Sequence, residues 1–267
     1  MNEPSWKEPC NDTANRAETV REEVRLNKYL SDAGVCSRRE ADRRIQEGRI
    51  RIDGKTAVLG QKVLPGQQVF CDGKPVTSET EKVILAFHKP VGVECTTASN
   101  VRNNIIDFIH YKVRIFPVGR LDKNSSGLIL LTNRGELSDQ ILRGSNYHEK
   151  EYLVSVDRRI TGAFLQKMRE GVEILMKDGT RKAQTRPCEV EQTGERSFRI
   201  ILTQGLNRQI RRMCQALGYQ VLSLKRIRIM NVLLGDLPEG EFRTLTDEEI
   251  RELELRINRN RRLKHDE

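Results

Sequence analysis

The stretch Gly119-Arg-Leu-Asp-Lys-Asn-Ser-Ser-Gly-Leu-Ile-Leu-Leu-Thr-Asn133 places one acid, Asp122, between a basic residue and a polar turn that runs into an apolar tetrad. Leu128 to Leu131 is short, apolar and bounded by Gly127 and Asn133, which reads as a buried strand. What precedes it is then a surface turn, and Asp122 stands at the lip of the core. Acids in such turns commonly bond their own backbone. The spacing alone therefore leaves two readings of Asp122, a turn former and a displayed carboxylate.

Working outward, 267 residues suit two domains, and a hydrophobic content of 37% supports a modest core in each. Lys and Arg exceed Asp and Glu by nine, a balance that favours a polyanionic partner, with nucleic acid the first candidate. Cysteines 10, 36, 71, 95, 188 and 214 form no C-x-x-C pair, and histidines 88, 110, 148 and 264 are equally dispersed. Reduced thiols and no metal site are expected. No apolar run approaches a signal core or a membrane span, so a cytoplasmic chain without membrane attachment is expected.

Residues 1–23 mix charge, Pro and Asn without period and are expected to form a disordered leader. From Val24 the pattern becomes regular. Leu26, Tyr29 and Leu30 lie at helical spacing, Gly34 stops that helix, and Ser37-Arg-Arg-Glu40 has the form of a capping box. The second helix, Arg38 to Glu47, presents Ala41 and Ile45 on one face and Arg38, Arg39, Arg43 and Arg44 around the rest. Ile50 to Ile52, the Asp53-Gly54 turn, Val69-Phe70 and Asp72-Gly73 read as short strands with tight connections. Two small helices and small strands, rich in arginine, make an RNA-binding module over 24–80, since phosphate recognition favours guanidinium forks.

Glu79 to Glu81 reads as a linker, and Val83 to Phe87 as the buried strand that opens a second domain over 83–256. Strands such as Tyr152 to Val156 and Phe198 to Thr203 interleave with helices such as Thr161 to Glu170 and Gln209 to Leu217. Without a strict alternation of strand and helix, the fold class is α+β. Residues 257–267 read as a basic tail.

Arg120-Leu121-Asp122 followed by Ser125-Ser126-Gly127-Leu128 resembles the signature of the RluA and RsuA pseudouridine synthases, whose members mostly carry threonine where this chain has Ser125. The exchange keeps a hydroxyl. Lys89-Pro90-Val91-Gly92, Lys150-Glu151-Tyr152-Leu153-Val154 and Asn207-Arg208-Gln209-Ile210-Arg211-Arg212 fit the same pattern in the same order. His148 to Val154 and Ile229-Met230-Asn231-Val232 look most like the RluF branch of the RsuA/RluB/RluE/RluF group, whose members modify ribosomal RNA and sometimes transfer RNA. The first domain is similar to the S-four-like RNA-binding domain that this group carries. The resemblance implies a largely antiparallel catalytic sheet crossed by a cleft.

The resemblance also implies roles. Asp122 is the catalytic carboxylate, a nucleophile at the ribose carbon or a base that promotes elimination there, and it must be ionised. Arg211 is its implied partner, an opposite charge that keeps a carboxylate ionised; Arg212 is a rival that spacing does not separate. Tyr152 is implied to stack on the target base and take a proton late in the reaction. Arg120 would fill the place of the flipped base or contact a phosphate. Asn207 and Arg212 join the RNA-contacting set. Lys89, Pro90 and Gly92 read as a structural turn beside the cleft, with Leu224 and Arg226 as pocket supports. No cofactor is called for, RNA is the expected partner, and a monomer is expected. Two rivals share parts of this pattern: a non-catalytic RNA-binding factor for ribosome assembly, and a nucleoside hydrolase or glycosylase. Intact Asp122, Tyr152 and Arg211 argue against the first, and the absence of an aspartate cluster against the second.

Overall fold

The computed structural model describes residues 23–77, 81–98, 100–142 and 147–262. The expected leader up to Glu22, Glu79 and Thr80 of the expected linker, and the tail beyond Arg262 lie outside the described residues. The chain divides into two compact units between Ser78 and Glu79. Among the described residues no helix is long and apolar enough to cross a membrane.

In the first unit β1 (Val24–Arg25), α1 (Leu26–Asp32) and α2 (Arg38–Gln46) precede β2 (Ile50–Ile52), β3 (Lys55–Thr56), β4 (Lys62–Val63), β5 (Val69–Cys71) and β6 (Lys74–Pro75). Ser37 Oγ accepts the Glu40 amide at 3.1 Å, so α2 starts where the capping pattern places it. Both hairpins turn on Asp-Gly pairs with positive φ, Asp53 and Gly54 at 48° and 79°, Asp72 and Gly73 at 51° and 76°. Two-residue hairpin loops need that left-handed geometry, which Asp and Gly adopt at little strain. The sheet order is β3-β2-β5-β6, and Leu26, Leu30, Ala41, Ile45 and Ile50 are packed in its core.

The second unit comprises β7 (Ile84–Lys89), α3 (Ile105–Ile109), β8 (Phe116–Val118), β9 (Ser126–Thr132), α4 (Gly135–Leu142), β10 (Lys150–Val156), α5 (Gly162–Glu170), β11 (Glu173–Leu175), β12 (Lys182–Gln184), β13 (Glu189–Gly194), β14 (Ser197–Leu202), α6 (Gln209–Ala216), β15 (Val221–Ile229), β16 (Val232–Leu233), β17 (Phe242–Thr244) and α7 (Asp247–Arg262). Its main sheet runs β13-β14-β10-β15-β9-β7-β17. Every pairing along it is antiparallel except β15 with β9.

The continuous apolar run in β9 follows from its place at the centre. Ile129 and Leu131 enter one core with Phe87 and Phe198, while Leu128 and Leu130 enter a second core with Ile84 and Leu253. All four β9 side chains are fully buried, each stabilising by about 1.5–3 kcal/mol. On the flank, β10 alternates: Tyr152, Val154 and Val156 enter the first core, and Leu153 between them is exposed.

Two expectations need correction. Gly127 lies within β9 rather than bounding it, because the parallel pairing with β15 reaches Ser126 and Gly127. The residues assigned to a basic tail begin inside α7, where Ile257 is buried against Leu253 and Leu245 in the second core; an apolar residue one turn after Leu253 extends the helix's buried stripe.

Gly127 has a φ of 106°, and a Cβ there would lie 2.2 Å from the Arg226 carbonyl oxygen. Gly127→Ala is therefore expected to lower stability by at least about 3 kcal/mol. Urea denaturation checks this; a midpoint like that of the wild type would show that the two backbones separate freely.

Candidate active site

Asp122 is set by the turn that leads into β9. The Ser125 amide donates to the Asp122 carbonyl at 3.0 Å and the Gly92 amide to the Lys123 carbonyl at 2.8 Å. The Leu121 amide bonds the buried Cys95 sulfur at 3.3 Å. Behind this turn the fully buried Lys89 ammonium donates to the carbonyls of Pro90 and Val93 at 2.7 and 2.9 Å, and burial pushes its pKa down. Lys89, Pro90 and Gly92 thus form the structural turn their pattern suggests.

Because backbone groups close the Asp122 turn, the carboxylate accepts no hydrogen bond among the described residues. The turn-former reading would have it bond its own backbone, and that bond is missing. Its partners are cations beyond hydrogen-bonding reach: Arg208 Nη1 at 3.8 Å and Arg211 Nε at 3.9 Å from Oδ2. The side chain stays 31% exposed. It is displayed.

Arg211 is held on three sides. Its Nη2 donates to the Asn124 carbonyl at 2.6 Å and to Ser125 Oγ at 3.2 Å, and its Nη1 to the Val221 carbonyl at 3.3 Å. The hydroxyl kept at Ser125, itself buried, therefore anchors the guanidinium beside the carboxylate. Burial first, then Arg208, lowers the Arg211 pKa, while Asp122 works the other way. Arg211 Nε is buried without a hydrogen-bond partner. Arg212, one residue on, turns away and donates to Asn207 Oδ1 at 3.0 Å. The structure separates the two arginines that spacing could not, because a step of about 100° on a helix changes the face.

Tyr152 is nearly buried, and the Arg226 guanidinium carbon lies 6.0 Å from its ring centroid. Arg226 Nε donates to the Leu128 carbonyl at 2.6 Å. A recess of about 90 Å³ is lined by Asp122, Tyr152, Arg120, Arg211 and Leu224. It opens beside a larger cleft of about 650 Å³, whose wall includes Asp122, Tyr152, Asn207, Arg208 and Arg226. Arg120 is exposed on both walls. Arg208 was not singled out from its motif; its left-handed backbone, φ 53°, at the start of α6 carries no sequence signal in an arginine.

In the first unit the four arginines of α2 are not equivalent. Arg43 and Arg44 both bind Glu40, each at 2.9 Å, whereas Arg38 and Arg39, exposed as Arg43 is, meet no acid among the described residues. Glu40, which the capping box would turn back to Ser37, bridges these two arginines, which hold its carboxyl below the usual range.

On the far face of β10, Glu151 Oε1 accepts from Arg199 at 3.1 Å and Oε2 from Arg228 at 2.6 Å. Arg228 also binds Glu149 at 2.9 Å.

A model of the RNA pseudouridylate synthase family matches residues 83–216, and one of the S4 domain matches 24–69. The dual-specificity RNA pseudouridine synthase RluF of Escherichia coli O6:H1 is 52% identical over 233 residues, which cover 86% of this chain and 78% of that protein. The ribosomal large subunit pseudouridine synthase B of Bacillus subtilis is 33% identical over 233 residues, 86% of this chain and 95% of that one. A crystal structure of a pseudouridylate synthase superposes with a TM-score of 0.62 at 28% identity, covering 86% of this chain and 99% of that one. The chain belongs to the RNA pseudouridylate synthase family. Within it the protein is RluF-like, an S4 domain followed by a pseudouridine synthase domain, and it is an enzyme rather than a non-catalytic RNA-binding factor.

Burial works to raise the Glu151 pKa, yet the bonds from Arg228 and Arg199 bring it below the usual value. The resulting stability is complete above the unfolded-state pKa of about 4.3 and is lost as pH falls through the lower folded value. Glu151→Gln is expected to cost about 1–3 kcal/mol at neutral pH, and its gap to the wild type should narrow below about pH 4. A pH-independent gap in urea denaturation would remove the ion-pair explanation.

Proposed function

We propose that Asp122 is the reacting carboxylate of uridine isomerisation in RNA. The observation that carries this is its position as the acid of the cleft wall, uncommitted to any hydrogen bond among the described residues and flanked by two guanidinium groups. The reaction breaks the bond from N1 of uracil to C1′ of ribose and forms one from C5 to the same carbon; the C5 proton goes to solvent and N1 takes up a proton in its place. The carboxylate starts it by adding to C1′ or by promoting elimination at the ribose; in either route Asp122 must face the ribose as an anion. Arg211 positions the Asp122 turn through Asn124 and Ser125, and its Nε lies toward the carboxylate.

Tyr152 forms the floor on which the base turns, its ring in the recess next to Asp122. A flat ring supports the detached uracil by stacking while it rotates, and the phenol relays the C5 proton to solvent, its oxygen taking that proton as its own hydroxyl proton passes to water. Arg120, exposed at the cleft mouth, contacts the RNA around the extruded nucleotide. Arg38 and Arg39 bind phosphates, with Arg43 and Arg44 contributing less because Glu40 holds them. Asn207, on the cleft wall, and Arg212, which donates to Asn207 Oδ1, contact the RNA beside it.

Large-subunit ribosomal RNA is the proposed substrate, with a transfer RNA as a second. The names of the relatives favour this, one dual-specificity and one acting on the ribosomal large subunit. The enzyme is proposed to act as a cytoplasmic monomer, away from membranes.

Asp122→Asn is expected to reduce pseudouridine formation at least about 1,000-fold with RNA affinity retained. Tyr152→Phe should keep RNA binding and slow turnover, and Tyr152→Ala should slow it further. Tritium release from RNA labelled at uracil C5 reads all three, and a turnover in Asp122→Asn near that of the wild type would end the proposal. Separately, Arg38→Ala with Arg39→Ala should weaken RNA binding more than Arg43→Ala with Arg44→Ala, read from the salt dependence of Kd. The reverse order would place the phosphate contacts on the Glu40 side of the helix.

A further inference from the structure

Lys150 opens the strand that carries Tyr152, and the chemistry above leaves it unused. The two residues share one face of β10, about 6.6 Å apart along the strand, and both line the cleft. Tyr152 also lines the recess that holds Asp122, and Lys150 does not. On the neighbouring strand β15, Arg226 is the partner of Tyr152. The Lys150 ammonium donates to the His148 carbonyl at 3.3 Å and meets no carboxylate among the described residues. Burial first, then Arg226, pushes its pKa down to about 8. Arg226 is a fixed charge: its Nε is held by the Leu128 carbonyl, and its Nη2 is buried without a hydrogen-bond partner. The cleft wall also holds His148, Arg120, Arg208, Asp122 and Arg186, the last with its guanidinium carbon 4.1 Å from the Tyr147 ring centroid. Burial first, then Lys150, keeps the His148 pKa below its ordinary value, and Asp122 stands between Arg208 and Arg211.

A uridine with its ribose at Asp122 and its base on Tyr152 has C1′ in the recess, and the far edge of its base extends into the cleft. That is the side on which Lys150 stands. When the bond from C1′ to N1 breaks, its electron pair leaves with uracil and spreads over N1, O2 and O4. A donor fixed where charge develops acts on the transition state more than on the bound substrate. Rotation of uracil by half a turn about the axis through N3 and C6 exchanges N1 with C5 and O4 with O2. A donor at that edge therefore meets a carbonyl oxygen both before and after the base turns.

We propose that Lys150 is a catalytic residue of the isomerisation, its ammonium donating a hydrogen bond to the carbonyl oxygen at the far edge of the departing uracil, with Arg226 as a fixed charge beside it. The proposal deepens the reading of Asp122 and Tyr152 given above and rests on it. Lys150 keeps its proton throughout. The negative charge is consumed when the electron pair at C5 bonds C1′, and the protons at C5 and N1 move as already described. The same ammonium disfavours cytidine, whose amine at C4 would face it donor to donor.

Tritium release from a large-subunit ribosomal RNA transcript labelled at uracil C5, with Kd measured on the same RNA, tests this. Lys150→Met keeps the apolar stem and is expected to lower kcat about 100-fold with Kd changed less than about twofold. Lys150→Arg should restore most of the rate. In the wild type, log(kcat/KM) should turn down above about pH 8 as the ammonium loses its proton. In Lys150→Arg that downturn should vanish, a difference that a structural role does not produce. A weaker Kd with wild-type kcat in Lys150→Met would overturn the proposal and make Lys150 a phosphate contact. Identical pH profiles for the wild type and Lys150→Arg, or a rate lost equally in both substitutions, would overturn it and leave Lys150 a structural role. Asp122→Asn, inactive in the same assay, keeps these failures separate from that of the underlying reading; an active Asp122→Asn, or a wild type inert on the transcript, would overturn both.

Discussion

Two antiparallel halves of the catalytic sheet meet at a parallel pairing two residues long, Lys225 with Ser126 and Arg226 with Gly127. The half β13-β14-β10-β15 carries Tyr152, and the half β9-β7-β17 carries the turn of Asp122. Arg226 is the hinge between them, since its backbone pairs with Tyr152 on one side and Gly127 on the other. Its side chain reinforces the join by donating to the Leu128 carbonyl. Short parallel ladders are weak by themselves. The close backbone approach at Gly127 and the burial of β9 in two cores compensate, and the separation of Asp122 from Tyr152 is fixed by the backbone rather than by side-chain rotamers.

That geometry sets up the electrostatics of the cleft. Arg120, Lys150, Arg186, Arg208 and Arg226 face it with Asp122 as the acid, a surplus that raises the local concentration of a polyanion. Nη2 of Arg226 and Nε of Arg211 are buried without hydrogen-bond partners, which is unfavourable in a resting protein. Sites of binding and chemistry commonly carry such local penalties, offset by the rest of the fold. The cores on both faces of β9 are where this chain gains the compensating stability.

Much of this was legible wherever local chemistry decides the outcome. The Asp-Gly hairpins, the Ser37 cap, the buried tetrad of β9 and the turn at Lys89 follow from residues a few positions apart, and the resemblance led to Asp122, Tyr152 and Arg211. What escaped depends on partners distant in sequence. Gly127 looked like punctuation because its reason, the Arg226 carbonyl, lies 99 positions on. The α2 arginines are the local exception: Glu40 stands three and four residues before Arg43 and Arg44, and the capping-box pattern assigns it to Ser37 instead. Tyr147 and Arg186 sit 39 positions apart, and nothing in either segment announces that a ring and a guanidinium will meet.

The alternation along β10 joins stability to function within three consecutive residues. Lys150 and Tyr152 line the cleft, and Glu151 between them is held on the other face by Arg199 and Arg228. A slip of one residue would turn Glu151 into the cleft and carry the ammonium and the phenol out of it. The irregular register between Glu151 and Tyr152 opposite β15 makes this strand the place where such a slip needs opposing. Two guanidinium groups gripping one partly buried carboxylate oppose it, because either displaced partner would leave a charge without its counterion. The ion pairs on the outer face thus serve the cleft on the inner one, by making a single orientation of β10 the stable one.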